Sequence, residues 1–482
     1  MIWTIAKKEL TEIRRDGRFL WTSLIIVALL FIALGVGAQR YAADRDLRIE
    51  ASQEDRDSWL NQGDKGPHAA AHYGVYGFKP ATPLALFDPG LNDYTGTLQY
   101  LEAHKENQAA FKPAADATAL ARFGDLSGAM VLQLLVPLLI ILLCFGMISG
   151  EREDGTFRQL MSMGVPRTKL VWGKALGVTG AIAIVLVPGI LIAGVLAAIL
   201  AGNNDPHEMI DFQGKLLVVA LAYVAYFAIF VCVALAISIR SRSSGAALTT
   251  LVGFWIVTGL LVPRIGADIS KAVYPTPSAF EVEASIQKGR DAGIHAHEPN
   301  HPNHIAFKNK MLKKYNVTRI EDLPYSFQGL ALEADEEHGF KVFDQNYGRV
   351  RELYAEQDKV QQVLSVLSPA VAIEGLSEAL SGTDVDFAND FSNAAEAYRR
   401  NMVRILNADI MQGGKGMTQY SAEWGYRANK SLWSKVPPFD FDPPGLSTIL
   451  GRNLVSILVL LAWLVGSIFW LTWSARRIKI DM

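Results

Sequence analysis

Two long apolar runs are joined by the stretch Ile148-Ser-Gly-Glu-Arg-Glu-Asp-Gly-Thr-Phe-Arg-Gln-Leu-Met-Ser-Met-Gly-Val-Pro-Arg-Thr-Lys-Leu-Val-Trp-Gly-Lys174. Within it, Asp154-Gly155 is a dipeptide typical of turns. Thr156 follows the turn, and Gln159 stands three residues further on, which is the spacing of a capping box at a helix N-terminus. The stretch therefore predicts a helix that begins with Thr156 as its N-cap.

The same stretch also predicts where this helix ends. Gly164 suits the left-handed position that follows a helix, and Pro166 cannot continue one. The helix then extends from Phe157 to Met163, about two turns, and so short a helix is marginally stable alone in water. We therefore expect another surface to hold it in place.

The apolar residues of the chain are concentrated in six runs that lack Asp, Glu, Lys and Arg, within 482 residues of which half are hydrophobic. Each run has at least 20 residues, the length that a helix needs to cross about 30 Å of hydrocarbon. The predicted spans are residues 19–39, 126–150, 175–204, 216–239, 243–263 and 453–475. One such run fits a buried helix of a soluble protein, but six do not. The predicted fold class is an all-α polytopic membrane protein with six transmembrane helices.

The charges between the spans predict the orientation. If the N-terminus is cytoplasmic, residues 1–18, 151–174, 240–242 and 476–482 lie inside, and they carry 15 Lys and Arg against 7 Asp and Glu. The net charge of the whole chain is −2, so the remaining residues are strongly acidic. Short cytoplasmic loops are enriched in Lys and Arg. Both termini are therefore predicted to be cytoplasmic.

This orientation divides the polar residues into segments. Residues 1–18 are predicted to form an amphipathic basic helix at the cytoplasmic interface, and residues 476–482 a cytoplasmic tail. Residues 40–125 form a first external segment, and residues 264–452 form a mostly helical external domain. We expect the two external segments to pack together.

The sequence excludes several kinds of chemistry. It contains no Gly-x-x-x-x-Gly-Lys-[Ser/Thr] loop, so the chain has no phosphate-binding loop of its own. Its two cysteines, Cys144 and Cys232, both fall within predicted spans and offer no disulfide to the external segments. No arrangement of nucleophile and base is recognisable, so the chain is predicted not to be an enzyme. The spans carry no charged residue of the kind that marks ion pathways, which argues against a secondary transporter or channel that uses carboxylates.

Four of the nine histidines occur within ten residues, at His295, His297, His301 and His304. Imidazole clusters bind Zn²⁺ or Cu²⁺. However, the one pair at His-x-x-x-His spacing, His297 and His301, encloses Pro299, and the two prolines among the four histidines indicate an irregular loop rather than a helix. A polar surface loop is the favoured interpretation, no metal site is predicted, and these four residues are the candidates if one exists.

The six spans, the amphipathic helix before the first of them and the Gly150-Glu-Arg-Glu-Asp-Gly-Thr156 loop resemble the membrane subunits of type-2 ABC transporters. Stretches such as Tyr274-Pro-Thr-Pro277, Ala379-Leu-Ser-Gly-Thr-Asp384 and Ala394-Ala-Glu-Ala-Tyr-Arg-Arg400 resemble a subfamily with a large external insertion of unassigned function between its last two spans. The resemblance implies that residues 151–174 contain a coupling helix that docks in a partner ATPase. The implied coupling residues are Glu151, Arg152, Glu153, Gly155, Thr156, Phe157, Leu160, Pro166, Arg167 and Lys174.

The resemblance also implies the partners. Two copies of an ABC ATPase would bind ATP and Mg²⁺, so this chain needs no cofactor, and a second permease chain, identical or sibling, would complete the transporter. Membrane lipid and a periplasmic protein are further expected partners, and nucleic acid is not. The implied function is export across the bacterial inner membrane, with the large domain in the periplasm. The alternative is mechanotransmission, in which ATPase movement acts on external proteins or on metal-site maturation.

Overall fold

The computed structural model describes residues 1–116, 126–201 and 206–478. Three parts of the sequence-based segmentation lie outside these described residues. They are the end of the first external segment (117–125), the connection 202–205 between the third and fourth spans, and the last four residues of the tail.

The first half of the described chain is helical except for one small sheet. Its elements are α1 (Ile2–Arg15), α2 (Gly17–Leu60), α3 (Pro67–Tyr73), β1 (Val75–Phe78), α4 (Asn92–Thr95), β2 (Leu98–Glu102), β3 (Lys105–Glu106), α5 (Pro113–Asp116), α6 (Gly128–Met130), α7 (Val136–Cys144), α8 (Ser149–Glu153), α9 (Thr156–Ser162), α10 (Arg167–Ala201) and α11 (Pro206–Arg240).

The second half is helical in all its described elements. They are α12 (Ser244–Ile256), α13 (Val262–Val273), α14 (Ala279–Arg290), α15 (Pro302–Tyr315), α16 (Phe327–Leu364), α17 (Pro369–Ser381), α18 (Val385–Gly413), α19 (Gln419–Trp424), α20 (Lys430–Trp433), α21 (Leu446–Arg452) and α22 (Leu454–Arg476). Single 3₁₀ turns lie at Pro83–Leu86, Ile320–Asp322 and Ser365–Leu367.

Six of the described helices are long and apolar enough to cross a membrane. They are α2, the α6–α8 run, α10, α11, the α12–α13 run and α22. The predicted all-α polytopic fold class is therefore confirmed. Helix α11 packs against α7, α10, α12 and α22, and its residues 229–236 are all buried, so it forms the centre of the bundle.

Two of the apolar runs contain a turn of π-helix, which the sequence did not predict. These wider turns span Val131–Leu135 and Val257–Leu261. Each ends two residues before a proline, Pro137 in one run and Pro263 in the other. Proline lacks an N–H and its ring clashes with the carbonyl of the preceding turn, so the helix widens there.

The carbonyl groups around these wide turns find donors on other helices. The Tyr226 hydroxyl donates to the Gln133 carbonyl over 2.9 Å, and the Ser368 hydroxyl donates to the Thr258 carbonyl. A backbone carbonyl without a partner in a membrane is expensive, and neighbouring side chains are the usual remedy. The two wide turns thereby tie the second and fifth spans to α11 and to the start of α17.

Helix α2 is the longest element and continues well past its predicted span. It has 44 residues, which is about 66 Å at 1.5 Å per residue. No glycine or proline occurs between Ala38 and Leu60, so nothing interrupts the helix where its apolar residues give way to charged ones. Its second half therefore belongs to the polar part of the molecule.

The polar part of the molecule, here called the insertion domain, comprises the described residues of 40–116 and 264–452. Strands β1, β2 and β3 form one antiparallel sheet in that order, with Val75 opposite Leu101. The two segments pack together, as expected. The buried Trp59 indole donates to the Trp433 carbonyl over 2.9 Å, and the Trp433 indole donates to the Gly63 carbonyl over 3.0 Å.

Candidate functional site

The candidate coupling loop consists of α8, a tight turn and α9. Gly155 in the turn has φ 74° and is the N-cap of α9, a left-handed conformation that glycine adopts without strain. The prediction that Thr156 caps the helix is wrong. Thr156 is the first helical residue, and its hydroxyl donates to the Glu151 carbonyl over 3.1 Å.

The end of α9 follows the sequence pattern more closely. The helix ends at Ser162 and its C-cap is Met163. Gly164 has φ 72°, the left-handed conformation expected after a helix. Helix α10 begins three residues later, at Arg167, so α9 is held between two glycine turns.

Glu151 joins the loop to two other helices through a shared lysine. Lys174 in α10 is 1% exposed, and its Nζ lies 2.7 Å from Glu151 Oε1 and 2.8 Å from Glu9 Oε1 in α1. Burying a lysine is expensive unless it is paired and hydrogen-bonded. The two carboxylates provide this pairing, and they connect α1, α8 and α10 at one point.

Arg152 and Glu153 join the same loop to the ends of two further helices. The Arg152 guanidinium donates to the carbonyls of Ile239 (2.9 Å) and Ser241 (3.0 Å) at the end of α11. Glu153 accepts from the backbone N–H (3.1 Å) and the hydroxyl (2.6 Å) of Ser244 at the start of α12. A cation at a helix C-terminus and an anion at an N-terminus both complement the helix dipole. These two adjacent residues therefore fasten the loop to the junction of α11 and α12.

A buried serine strengthens the attachment to α11. The Ser238 hydroxyl accepts from the backbone N–H groups of Ile148 and Ser149, both over 3.2 Å, and donates to the Phe145 carbonyl over 2.8 Å. Ser238 and Ser149 are fully buried. The first turn of α8 thus obtains its N-terminal hydrogen bonds from α11.

The two faces of α9 differ in what they contact. Phe157 is 1% exposed and belongs to the apolar core of the bundle, while Leu160 and Met161 are half-buried against that core. Thr156, Gln159 and Met163 are exposed. They follow one another at spacings of three and four residues and so form one stripe of the helix surface.

The coupling residues implied by the resemblance separate into two sets. Glu151, Arg152, Glu153, Phe157 and Lys174 attach the loop to the neighbouring helices of the bundle. Gly155, Thr156 and Pro166 are exposed, and Leu160 and Arg167 are half-buried. The resemblance did not single out Gln159 or Met163, which is 77% exposed, although helical spacing from Thr156 would have found both.

The four basic segments that predicted the orientation meet at one end of the bundle. Helix α1 packs along α10, and the coupling loop contacts the α11–α12 junction. Arg240 lies over the Trp473 ring, 5.2 Å from its centre, and Arg477 lies over the same ring at 4.6 Å. The basic residues therefore share one face, here called the loop face.

The structure separates the four candidate histidines of the sequence. His295 stacks on His301 with ring centres 3.8 Å apart. His304 is 1% exposed and lies 3.1 Å from the His295 carbonyl and 3.2 Å from the Gln419 amide oxygen. Of these four candidates, His297 alone belongs to a larger group of histidines, with His68, His72 and His104.

No curated protein matches the sequence at a significant level. A family model described as ABC-2 family transporter protein matches residues 3–473. Because this match covers nearly the whole chain, the protein belongs to the ABC-2 family of transporter proteins, as a non-catalytic membrane permease subunit.

Proposed function

We propose that this permease couples ATP hydrolysis by a separate ABC ATPase to export across the bacterial inner membrane. ABC-2 permeases work with ABC ATPase subunits. The loop face carries the basic segments, which supports a cytoplasmic location for both termini and for α9. The insertion domain then lies in the periplasm.

The observation that carries this proposal is the two-sidedness of the coupling loop. One side is tied by Lys174, Ser238 and Ser244 to α1, α10, α11 and α12. On the other side, Thr156, Gln159 and Met163 are exposed. A short helix that is fixed to the bundle on one side and open on the other is suited to docking in a cleft of a partner.

The mechanism follows from these attachments. Two ATPase copies close on ATP and Mg²⁺, and each moves the α9 helix docked in it. A second permease chain, identical or sibling, completes the pathway. The force reaches four helices together, because ionic and charge-assisted bonds fasten them to the loop. ATP shifts the permease only as far as the docked contacts differ between the ATPase states.

Mechanotransmission is the second candidate, and a series of hydrogen-bonded side chains favours it. Ser377 of α17 donates to Asp88 Oδ2 over 2.5 Å and lies 3.2 Å from the Tyr223 hydroxyl, which accepts from the Gln133 amide over 3.0 Å. These hydrogen bonds join the second and fourth spans to the insertion domain. Movement of the bundle would then reach that domain directly, where a periplasmic protein could respond.

The docking test uses Met163→Glu in the full-length permease co-expressed with its ATPase. A buried, unpaired carboxylate in the docking cleft should abolish co-purification of the ATPase and its stimulation by the permease. Phe280→Glu is the matched control, because Phe280 is 82% exposed in the insertion domain. Retention of full stimulation by Met163→Glu would refute the docking assignment.

A second measurement separates the two candidate functions. Photo-crosslinkers at the exposed Phe280 and Tyr420 of the insertion domain should capture a protein in cells if the permease is a mechanotransmitter. Export predicts no protein adduct at either position. A crosslink that depends on ATP hydrolysis would favour mechanotransmission over export.

A further inference from the structure

Four histidines from distant parts of the insertion domain converge on one point. His68 and His72 lie one turn apart in α3, His104 lies in the turn between β2 and β3, and His297 lies in the loop between α14 and α15. One ligand nitrogen from each lies within 4.8 Å of all the others. Two come from a helical His-x-x-x-His pair, and the other two are brought in by the tertiary fold.

The distances between the ring nitrogens are those of a metal site. His68 Nε2 lies 3.0 Å from His72 Nε2, 3.0 Å from His297 Nε2 and 3.4 Å from His104 Nε2, and His104 and His297 are 3.1 Å apart. A tetrahedral Zn²⁺ with ligands at about 2.0–2.1 Å holds its nitrogens about 3.3–3.4 Å apart. These four separations lie close to that value, and the remaining two, from His72 to His104 and to His297, are no more than 4.8 Å.

Hydrogen bonds among the imidazoles cannot explain this arrangement. Each Nε2 carries either one hydrogen or one lone pair, so it forms one hydrogen bond at most. His68 Nε2 has three nitrogen neighbours within 3.4 Å, and its side chain is buried. Two of those neighbours would face it without a bond. A cation at the centre satisfies all four lone pairs at once.

A second layer of charged residues supports His104. Its Nδ1 lies 2.8 Å from Glu336 Oε1, and its backbone N–H donates to the same oxygen over 2.8 Å. Glu336 Oε2 lies 3.7 Å from Arg399 Nη1, and Arg399 is fully buried. A carboxylate behind a histidine sets the tautomer that leaves Nε2 free for a metal. The Glu-Ala-Tyr-Arg-Arg part of α18 supplies this arginine.

The backbone at His104 points the same way. His104 has φ 65°, a left-handed conformation that non-glycine residues adopt uncommonly and that the surroundings must maintain. It faces the centre of the cluster from a turn of two residues between β2 and β3. The chain therefore keeps a strained conformation at the position where it presents an imidazole.

We propose that His68, His72, His104 and His297 bind one Zn²⁺ ion that fastens the two segments of the insertion domain together. Four protein ligands leave no open position, which is typical of structural rather than catalytic zinc. Three ligands come from the segment before the second span, and one comes from the segment after the fifth. Binding free energy at such a site is folding free energy for the segments it joins.

The test measures metal in the full-length permease, purified in detergent with a tag that contains no histidine. Wild-type protein, stripped with chelator and supplied with Zn²⁺, should retain about one zinc per chain after desalting. His104→Ala combined with His297→Ala should retain none. His295→Ala combined with His301→Ala is the matched control, because these histidines share the loop of His297 but face each other, and it should retain one.

Co²⁺ in place of Zn²⁺ reports the geometry, since tetrahedral Co²⁺ absorbs visible light strongly and octahedral Co²⁺ weakly. Strong absorption that the control double variant keeps is the expected result. Glu336→Gln should weaken Zn²⁺ affinity about 10- to 100-fold, measured by competition with a chromophoric chelator. If the histidine variant fails to fold, stripped wild-type protein still serves, because Zn²⁺ must raise its unfolding temperature.

Any of three results would overturn the zinc proposal. The first is that wild-type protein takes up no more Zn²⁺ and Co²⁺ than the His104/His297 double variant does. If that variant does not fold, the equivalent result is that stripped wild-type protein takes up no Zn²⁺ and its unfolding temperature does not rise. The second is weak, octahedral Co²⁺ absorption. Uptake of Cu²⁺ without Zn²⁺ would also refute the choice of zinc. None of these measurements depends on docking of the ATPase, so failure here leaves the proposed coupling function untouched.

Discussion

Lys174 is the residue on which the loop face depends most. Its ammonium is surrounded by Glu9 and Glu151 and is almost inaccessible to solvent. The three groups together carry one excess negative charge, which Lys8 balances from 3.2 Å away from Glu9 Oε1. Removal of the lysine and removal of one carboxylate are therefore not equivalent. The first leaves Glu151 without its cation and the buried Glu9 with only the half-exposed Lys8, whereas loss of Glu151 leaves Lys174 paired with Glu9.

We predict that Lys174→Met lowers the free energy of unfolding by about 3–5 kcal/mol, the usual penalty for leaving buried charge without its partner. Glu151→Gln should lower it by about 1 kcal/mol or less, since glutamine keeps an acceptor for Lys174. Thermal unfolding of the detergent-solubilised permease compares the two. Equal losses in the two variants would contradict this account. The double variant Lys174→Met with Glu151→Gln should be more stable than Lys174→Met alone.

The coupling residues show how far a single residue can be interpreted from sequence. The resemblance gave Glu151, Arg152 and Glu153 a role in docking, and that role stays a prediction. The structure shows their contacts within the chain, with Lys174, Ile239 and Ser244. Those partners are 23 to 91 positions away, and no local pattern reveals which side chain will lie opposite.

At the scale of elements, α1 docks on α10 through glycines. A Cβ at Gly173 would lie 2.6 Å from Ile5 Cβ, and a Cβ at Gly177 would lie 2.7 Å from Glu9 Cβ. A Cβ at Gly180 would meet only Leu10 Cδ2, at 3.8 Å. Small residues spaced by four along a helix allow close approach of a second helix.

We predict opposite effects for two alanine substitutions in α10. Gly177→Ala should destabilise by about 1–3 kcal/mol, because the new methyl group pushes α1 away and withdraws Glu9 from Lys174. Gly180→Ala should be neutral or stabilising by up to about 1 kcal/mol, since alanine favours the helix. Unfolding temperature and tryptic cleavage at Lys7 and Lys8 measure both effects. Release of α1 by Gly180→Ala would contradict the role assigned to Gly177.

Elements were predictable where one pattern continued over many residues. Apolar length was sufficient for the six membrane helices, and Gly164 gave the end of α9. The start of α9 was not predictable, because Thr156 and Gly155 both suit an N-cap. Only the left-handed turn seen in the structure decides between them. The π turns were missed because a proline within an apolar run does not by itself distinguish a wide turn from a kink, and the donors that satisfy the turns, Tyr226 and Ser368, are far away in sequence.

At the scale of the whole molecule, the insertion domain is assembled from two segments separated by four spans. Trp59 and Trp433 hold them together, with ring centres 6.0 Å apart and each indole bonded to a carbonyl. Both are fully buried. This contact joins the far end of α2 to α20, so the first segment is ordered by the second.

We predict that Trp433→Ala destabilises the insertion domain by about 3–5 kcal/mol and exposes residues 55–78 to hydrogen exchange. Trp424→Ala is the control, because Trp424 is 63% exposed in the neighbouring α19, and it should leave exchange unchanged. Exchange by mass spectrometry reads the two segments separately. Unaltered protection of residues 55–78 in Trp433→Ala would show that other contacts hold the segments together.

The whole molecule was predictable as a set of six membrane helices but not as a set of tertiary contacts. Apolar length led to the six helices and the loop led to the family, while the orientation inferred from charge stays a prediction. The histidine candidates were chosen for closeness in sequence, and three of the four were the wrong ones for a cluster. His68 and His72 do form a helical pair, yet only the fold brings His104 and His297 beside it.

The continuity of α2 determines how far a small rotation at the loop face would displace the insertion domain. One residue, Asp16, separates the helix from α1, and α1 rests on α10 beside the coupling loop. The other end of the helix lies at the Trp59–Trp433 contact. Moved as a rigid body, it would be a lever about 66 Å long. A tilt of only about 5° at the loop face would swing its far end by about 6 Å, so a small rotation is amplified into a displacement large enough to open or close a contact in the insertion domain.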